Sequence, residues 1–323
     1  MLRIAILSDA ASPENAAVLH SVRRFAAAHG EIFHYELDDF GRIEAALRTI
    51  ARVEPAVLVV NGGDRAVQAA LTALQGGGPF GERLPPLAIL PTDKKSLIHL
   101  NFGQGGDPIA ALERVLDIAR RGIGPNVVRR QLIALTHGEP AERPVLGMFL
   151  GGAGLAETIL FCRRRLYPLG LPIGLCHAVT IGAVLLSSLV GRRLTGGRAT
   201  DAARVTVLRN GEPQGQASLI LVTTLERLLL KARMPASTAR LGALRLLLVE
   251  QKPLPMLRAF TAMLLGRLGS RRLGGVQLES GDEIRIEGDR SAVLLDGELF
   301  EASRERPIVL RSTPAMPFLS LAA

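Results

Sequence analysis

The chain has 323 residues, 48% of them hydrophobic, which is enough to bury large cores, and its length favours two domains. Its 39 Lys and Arg exceed its 30 Asp and Glu, and the formal net charge of +9 favours anionic partners such as phosphates or an acidic membrane surface. The apolar fraction excludes a disordered chain. An arginine excess also arises from codon bias, so charge alone does not identify the partner.

Aromatic residues make up only 4% of the chain and Trp is absent, so there is little material for stacking on bases and we expect no nucleic-acid partner. The two cysteines, Cys162 and Cys176, lie in apolar surroundings and form no C-x-x-C motif. They are typical of buried thiols in a reducing compartment. With a strand-like N-terminus that lacks signal-peptide features, the sequence predicts a cytoplasmic location.

The first part of the chain alternates between apolar β-branched runs and stretches with helical spacing. Strands are predicted at residues 2–7, 31–36, 57–60 and 87–90, and helices after Ser12 and at residues 41–53, 67–74 and 108–121. Ser12 followed by Pro13 predicts a helix start, because the pair suits an N-cap and the first helical position. Alternating strands and helices predict a parallel sheet with a binding crevice at the carboxyl ends of its strands.

The run Asn61-Gly62-Gly63-Asp64 follows the third predicted strand and opens a helix. A glycine turn at this point directs backbone amides towards the sheet edge, which favours an anion such as phosphate. Asp64 would repel a phosphate unless it holds a metal or accepts a proton, so its position favours chemistry. A structural alternative stays open, because Gly-Gly-Asp is also a common helix start in which Asp complements the helix dipole.

From about residue 126 the pattern changes to short strands joined by turn residues. They are predicted at residues 127–135, 145–150, 204–208, 216–222, 244–249, 276–278, 283–287 and 291–295. This predicts a mainly antiparallel β-sandwich or partly closed barrel, with helices inserted at residues 156–166 and 167–190. We therefore expect an α/β domain at residues 1–125, with a return segment at about 305–323, and a β-rich domain at residues 126–304.

Three further stretches bear on membranes. Residues 166–190 carry no charge and are long enough to cross a bilayer. Pro, Gly, His, Ser and Thr lower their apolarity, so we expect a buried helix first, a surface-docked helix second and a true span last. Residues 225–240 and 254–272 mix Leu, Met or Phe with Arg, which predicts either basic amphipathic contacts with a membrane or ordinary surface helices with an apolar inner face.

Several of these pieces occur in a recognisable order: Asn61-Gly-Gly-Asp64, the apolar strand at residues 87–92, Ala292-Val-Leu-Leu-Asp-Gly-Glu298, and residues 306–316. Over nearly the whole chain the set resembles the diacylglycerol kinase catalytic-domain family, which includes bacterial lipid kinases and sphingosine kinases and is related in fold to NAD kinase. In that family the first motif is G-G-D-G-T, the second strand enters P-x-G-T-x-N-D, and a D-G-E strand precedes a return segment.

The resemblance implies an NAD kinase-like α/β domain and a lipid kinase that phosphorylates a diacylglycerol-like or sphingoid hydroxyl with ATP and Mg²⁺. It implies catalytic roles for Asp64, Asp296 and Glu298, and it assigns no metal ligands. It also implies peripheral association with the inner face of the membrane, and it leaves the oligomeric state open, a homodimer included. The implied nucleotide contacts are Ser8, Asn61, Gly62, Gly63, Arg65, Thr92, Lys94 and Lys95.

The chain departs from the family on the nucleotide side of the predicted cleft. Arg65-Ala66 replaces the Gly-Thr of the first motif, residues 93–97 lack the Gly, Thr, Asn and Asp of the second, and residues 8–12 replace an N-P-x-x-G loop. Arg65, Lys94 and Lys95 can bind phosphate oxygens in place of the lost amides, or they can fill the site. Two functions therefore stay open: ATP-dependent phosphorylation of a lipid hydroxyl, and binding of an anionic lipid or phosphorylated metabolite without turnover.

Overall fold

The structure is a computed structural model. It describes residues 3–91, 106–139, 142–153, 203–207, 213–225, 244–250, 252–264, 268, 273–287, 291–303 and 305–321. Its contacts divide the chain into two compact units. Unit 1 contains Met1–Leu132, Val145–Gly147 and Pro314–Ala323, and unit 2 contains Ile133–Pro144 and Met148–Thr313.

Unit 1 alternates strands and helices. Numbered by position in the whole chain, its elements are β1 (Ile4–Asp9), α1 (Ala16–Ala28), β2 (Ile32–Leu37), α2 (Ile43–Ala51), β3 (Val57–Asn61), α3 (Asp64–Ala73), β4 (Leu87–Ile89), α4 (Pro108–Arg121), β5 (Val127–Arg130), β7 (Val145–Gly147) and β17 (Met316–Leu319). The sheet order is β2-β1-β3-β4-β17-β5. Its pairs are parallel except β17 with β5, so the C-terminal strand returns to complete the sheet.

The unit 1 sheet is buried on both faces, which explains the continuous apolar runs of its strands. Ile4, Ile6 and Val59 pack in one cluster with Val22 of α1 and Val115 of α4. The alternate residues of β1 and β3 point to the opposite face and are also buried. On that side α2 and α3 contact β2 and β3. The carboxyl ends of the parallel strands are thereby held at one edge.

The start of α1 differs from the prediction. A short 3-10 turn, Pro13–Asn15, precedes the helix, and Ser12 makes no side-chain capping hydrogen bond. Ser12 and Pro13 therefore hold the predicted N-cap and first positions, but of this 3-10 turn, and the Ser12 side chain does not bond to its backbone. Asp9 stabilises the turn before the helix, because its Oδ1 accepts hydrogen bonds from the backbone N–H groups of Ala11 at 3.0 Å and Ser12 at 3.2 Å.

Unit 2 is built from antiparallel strand pairs. Its elements are β6 (Ile133–Thr136), β8 (Phe149–Ala153), β9 (Ala203–Val207), β10 (Pro213–Thr223), β11 (Leu244–Glu250), α5 (Pro253–Leu264), β12 (Val276–Gly281), β13 (Glu283–Glu287), β14 (Ser291–Leu295), β15 (Glu298–Ala302) and β16 (Ile308–Ser312). The hydrogen-bonded order is β15-β14-β8-β10-β9-β13-β16-β6, with β11 on β10 and β12 on β11. The long strand β10 pairs with β9 through its first half and with β8 and β11 through its second, so it joins two groups of strands.

The predicted class, an α/β unit with a parallel-rich sheet followed by a mainly antiparallel β region, is confirmed. The strand predicted at residues 127–135 is instead two strands, β5 and β6, in different sheets. The helices predicted at residues 156–166 and 167–190, including the uncharged stretch 166–190, lie outside the described residues, as do residues 226–240. Among the helices that are described, none is long and apolar enough to cross a membrane.

Candidate functional site

The candidate site begins where β1 and β3 end side by side. Ser8 and Asn61 are Cα partners in the parallel register, and both are fully buried. The Asn61 Nδ2 donates a hydrogen bond of 2.9 Å to the Ser8 Oγ. The structure therefore brings together two of the residues that the sequence assigned to nucleotide binding, although the Ser8 hydroxyl is used within the protein.

His34 extends this network to the neighbouring strand β2. Its Nε2 lies 2.8 Å from the Ser8 Oγ, and its Nδ1 lies 3.9 Å from the Glu36 Oε1. Burial lowers the pKa of His34, with Arg23 acting in the same direction and Glu36 opposing it. A neutral imidazole follows, in which Nε2 can accept a hydrogen bond from the Ser8 hydroxyl while Nδ1 carries the ring hydrogen. Side chains thus tie the ends of β1, β2 and β3 together.

Asn15 closes the loop that follows β1 over the same edge. Its Nδ2 donates to the main-chain oxygen of Asp9 at 2.7 Å and to that of Asn61 at 3.4 Å. Sequence reasoning missed Asp9, Asn15 and His34 as parts of this edge. Asp9 was detectable, since an Asp whose side chain binds the backbone two residues on is a familiar turn former. Asn15 and His34 carried no comparable signal, because their partners are distant in sequence.

Two acceptors in this network are left without a partner in the part of the chain that the structure describes. The Oδ1 atoms of Asn15 and Asn61 are buried and accept no hydrogen bond. A buried acceptor without a donor costs about 1–3 kcal/mol, so such atoms are usually met by water or by a ligand. These two acceptors can therefore bond to a donor group from outside the protein.

The two glycines before α3 have different roles. A Cβ on Gly62 would lie 2.6 Å from the Ala66 Cβ and 3.0 Å from the Asp9 Cβ, so close packing requires glycine there. Among the described residues, a Cβ on Gly63 would meet no atom within 4 Å, and its φ of −72° suits any residue. Gly63 is the N-cap of the ten-residue helix α3, and as a glycine it has no side chain to cap the helix. The space beside Gly63 suits an anion approaching a helix N-terminus.

Asp64 and Arg65 form the first turn of α3, next to this space. Asp64 is partly exposed and complements the positive end of the helix dipole. The exposed Arg65 side chain places its guanidinium carbon 5.3 Å from the centre of the Phe40 ring, a cation–π arrangement. One carboxylate and one cation therefore lie beside the helix start, and both interpretations of Gly-Gly-Asp are compatible with this geometry.

The carboxylates predicted near the C-terminus belong to unit 2, where they differ in environment. Asp296 is buried, and its two carboxylate oxygens accept hydrogen bonds of 2.9 Å from the backbone N–H groups of Met148 and Phe149. Asp296 and Gly297 both have positive φ, as a two-residue β14–β15 hairpin turn requires. Asp296 thus fastens this hairpin to β8, whereas Glu298 begins β15 with an exposed side chain.

Several predicted contacts fall outside the described residues, namely Thr92, Lys94 and Lys95. For metals, no group of three or more His, Cys, Asp or Glu able to hold an ion is found within the described ranges. Mg²⁺ does not need such a group when phosphates are present, because it takes one or two carboxylates together with phosphate oxygens and water. A carboxylate such as Asp64 beside an anion site is compatible with that mode.

No family model matches the sequence, and no curated protein matches it. Solved structures do match over the whole chain. One from Bacillus anthracis strain Sterne, described as a "putative diacylglycerol kinase", is 16% identical with a TM-score of 0.64, covering 97% of this chain and 94% of that one. A second with the same description is 15% identical, with a TM-score of 0.61 and coverage of 99% and 98%.

A third structure from the same strain, described as a diacylglycerol kinase, is 16% identical, with a TM-score of 0.61 and coverage of 97% and 94%. Each match covers at least 97% of this chain and therefore includes residues of both units. At such identities they show the fold, which this chain shares with those proteins.

Proposed function

We propose that the chain transfers the γ-phosphoryl group of a nucleotide to a hydroxyl group of a lipid, with a diacylglycerol-like or sphingoid acceptor. The observation that carries the proposal is the start of α3, where an open Gly63 and the helix N-terminus meet an Asp at the carboxyl edge of a parallel sheet. Binding crevices of open α/β sheets lie at this edge. The fold shared with the diacylglycerol kinases described above supports a lipid acceptor.

ATP and Mg²⁺ are compatible with the residues present. The N-terminal amides of α3 and the space beside Gly63 would hold phosphate oxygens, and the Asn15 and Asn61 Oδ1 atoms can accept from a donor group on the ligand or from water. When bound, Mg²⁺ supplies neutralisation of charge on the transferred phosphate. Phosphate oxygens and water would hold it, because Asp64 is assigned to the proton.

In the proposed reaction the chain positions the reactants and moves one proton. The oxygen of the lipid hydroxyl forms a bond to the γ-phosphorus, and the bond from that phosphorus to the bridging oxygen breaks, so that ADP leaves with the electron pair. Asp64 accepts the proton of the hydroxyl as the new bond forms. The roles predicted for Asp296 and Glu298 stay predictions: both oxygens of Asp296 accept backbone hydrogen bonds, and the Glu298 side chain is exposed.

The test is phosphate transfer from γ-labelled ATP with Mg²⁺ to a panel of lipids. We expect label in at least one lipid, and we expect Asp64→Asn to lower the rate by roughly 10²- to 10⁴-fold with the fold intact. Asp117→Asn is the matched control, because Asp117 is exposed on α4 and pairs with Arg121 one turn away. Its rate should equal that of the unchanged protein. Absence of label in every lipid, with an active lipid kinase as control, would refute the proposal.

The second candidate function is binding of an anionic lipid or phosphorylated metabolite without turnover. It is favoured by Arg65, which stands where the family motif has glycine and whose guanidinium lies over Phe40 beside the helix start. A thermal-shift experiment separates the two functions, because a ligand of the folded state raises the melting temperature. Stabilisation by Mg²⁺-ATP supports the kinase, whereas stabilisation by anionic lipid alone supports the binding protein.

A further inference from the structure

Two exposed leucines lie on the outward face of α5. Within the described ranges, the large hydrophobic side chains that are exposed are Leu254 at 52%, Leu257 at 44% and Leu299 at 46%. Leu254 and Leu257 lie one turn apart, and the exposed residues Arg258 and Thr261 continue the same face at helical spacing. This outward face of Leu254, Leu257, Arg258 and Thr261 is called the α5 surface below.

The opposite side of α5 is anchored in the core of unit 2. Ala259 and Ala262 are buried in a cluster with Leu247 and Val249 of β11. Pro255 packs on the backbone of Gly275, where an added Cβ would come within 2.5 Å of the proline ring. The rotation of the helix is therefore set by its packing, so the two leucines are held outward.

The sequence around the α5 surface carries charge of one sign. Between Glu250 and Glu279 there is no acidic residue, and the basic residues are Lys252, Arg258, Arg267, Arg271 and Arg272. In the described part of this stretch Arg258 is exposed, and Lys252, at the start of the helix, pairs with Glu250 at 3.1 Å. Exposed leucines beside a cation are complementary to a lipid bilayer, in which anionic headgroups lie above apolar acyl chains.

We propose that the α5 surface docks on an anionic phospholipid bilayer, with Leu254 and Leu257 entering the boundary of the acyl chains and Arg258 on the phosphates. Helices that lie in the membrane interface combine an apolar face with basic residues in this way. The exposed Arg258 beside the leucines, in a sequence without acidic residues between Glu250 and Glu279, favours anionic lipid over a protein surface of mixed charge. The proposal goes beyond the enzymatic one, because docking is measured without turnover.

The test is sedimentation of the full-length chain with vesicles of phosphatidylcholine alone or mixed with phosphatidylglycerol. The unchanged protein should sediment with the mixed vesicles at low salt and be released at high salt, since salt screens the attraction. Leu254→Ala with Leu257→Ala should weaken binding on the order of tenfold, because about half of each side chain is still available for burial. Arg258→Ala should weaken it by roughly fivefold, the equivalent of about 1 kcal/mol for one basic residue at such a surface.

Leu299→Ala is the matched control, because Leu299 has a similar exposure but lies on β15. It should bind vesicles as the unchanged protein does. Equal binding of the double-leucine variant and the unchanged protein would overturn the proposal, as would equal binding to both kinds of vesicle or no binding at low salt. A concentration-dependent dimer that is lost in the double variant, without vesicle binding, would instead assign the surface to a second copy of the chain.

The two proposals fail separately. Phosphate transfer to a short-chain diacylglycerol that dissolves in water needs no membrane. If that transfer occurs in the double-leucine variant while vesicle binding is lost, docking is supported together with the kinase. Vesicle binding by the unchanged protein without any transfer would support docking and refute the kinase.

Discussion

Replacing each glycine before α3 with alanine tests the division of roles between Gly62 and Gly63. Gly62→Ala inserts a Cβ 2.6 Å from the Ala66 Cβ, a separation that real Cβ atoms do not show. Neither neighbour is a flexible side-chain end, so the backbone must move. Overpacking of this kind typically costs about 1–3 kcal/mol in the free energy of unfolding.

Gly63→Ala adds its methyl group to open space at a backbone conformation that alanine adopts without strain. Alanine is a poorer N-cap than glycine, which costs about 0.5 kcal/mol, but it also restricts the unfolded chain, which gains about 0.4–1 kcal/mol. The two effects nearly cancel, so the stability of unit 1 should change by less than about 0.5 kcal/mol. If a phosphate approaches this backbone, however, the methyl group will stand in its way.

The assay is thermal unfolding of the two variants with and without Mg²⁺-ATP. At roughly 2–4 °C per kcal/mol, Gly62→Ala should lower the melting temperature by roughly 2–12 °C, whereas Gly63→Ala should leave it almost unchanged. Mg²⁺-ATP should raise the melting temperature fully only in the unchanged protein, and Gly63→Ala should lose this rise. If Gly63→Ala keeps the whole nucleotide shift, phosphate does not bind beside Gly63, and if Gly62→Ala melts normally, the packing argument fails.

Other variants test the network and the hairpin turn. Asp296→Asn keeps a residue that tolerates positive φ but loses one accepting oxygen, so the free energy of unfolding of unit 2 in urea should fall by about 1–3 kcal/mol. The exposed control Glu298→Gln should change it by less than about 0.5 kcal/mol. Equal stabilities of the two variants would show that the hydrogen bonds from the two N–H groups contribute nothing. Because burial depresses the pKa of folded His34, the unfolded chain binds the extra proton first, and stability should fall as pH drops below about 6.5. His34→Gln should flatten that fall in melting temperature, and an unaltered pH dependence would contradict the neutral-imidazole assignment.

The sequence was sufficient to predict the elements of unit 1 because its strands are short apolar runs between clear helices. Residues 57–60 predicted β3 almost to the residue, and Gly62-Gly63 marked the start of α3. The split of residues 127–135 into β5 and β6 was not predictable, because no Gly or Pro separates the two halves in the sequence. Their separation is a consequence of pairing, β5 with β17 and β6 with β16, which local sequence does not contain.

The site was predictable only in part, for the same reason. Asn61, Gly62 and Gly63 could be found from a contiguous motif, whereas the hydrogen bonds to Ser8, Asn15 and His34 join residues up to 53 positions apart. Asp296 illustrates the same limit. Its place in a D-G-E motif implies a catalytic carboxylate, which stays a prediction, but the motif gave no sign of the backbone amides 147 and 148 positions away that bond to its two oxygens.

The central claim is most directly tested by following the radiolabelled γ-phosphate of ATP, with Mg²⁺, into short-chain diacylglycerol and a sphingoid base. The account predicts a labelled phosphomonoester of one of these lipids with the unchanged chain and with Asp117→Asn, and at least a hundredfold less with Asp64→Asn. Label that appears at the same rate with Asp64→Asn would show that Asp64 is not the base. No labelled lipid from the unchanged chain would contradict the kinase itself.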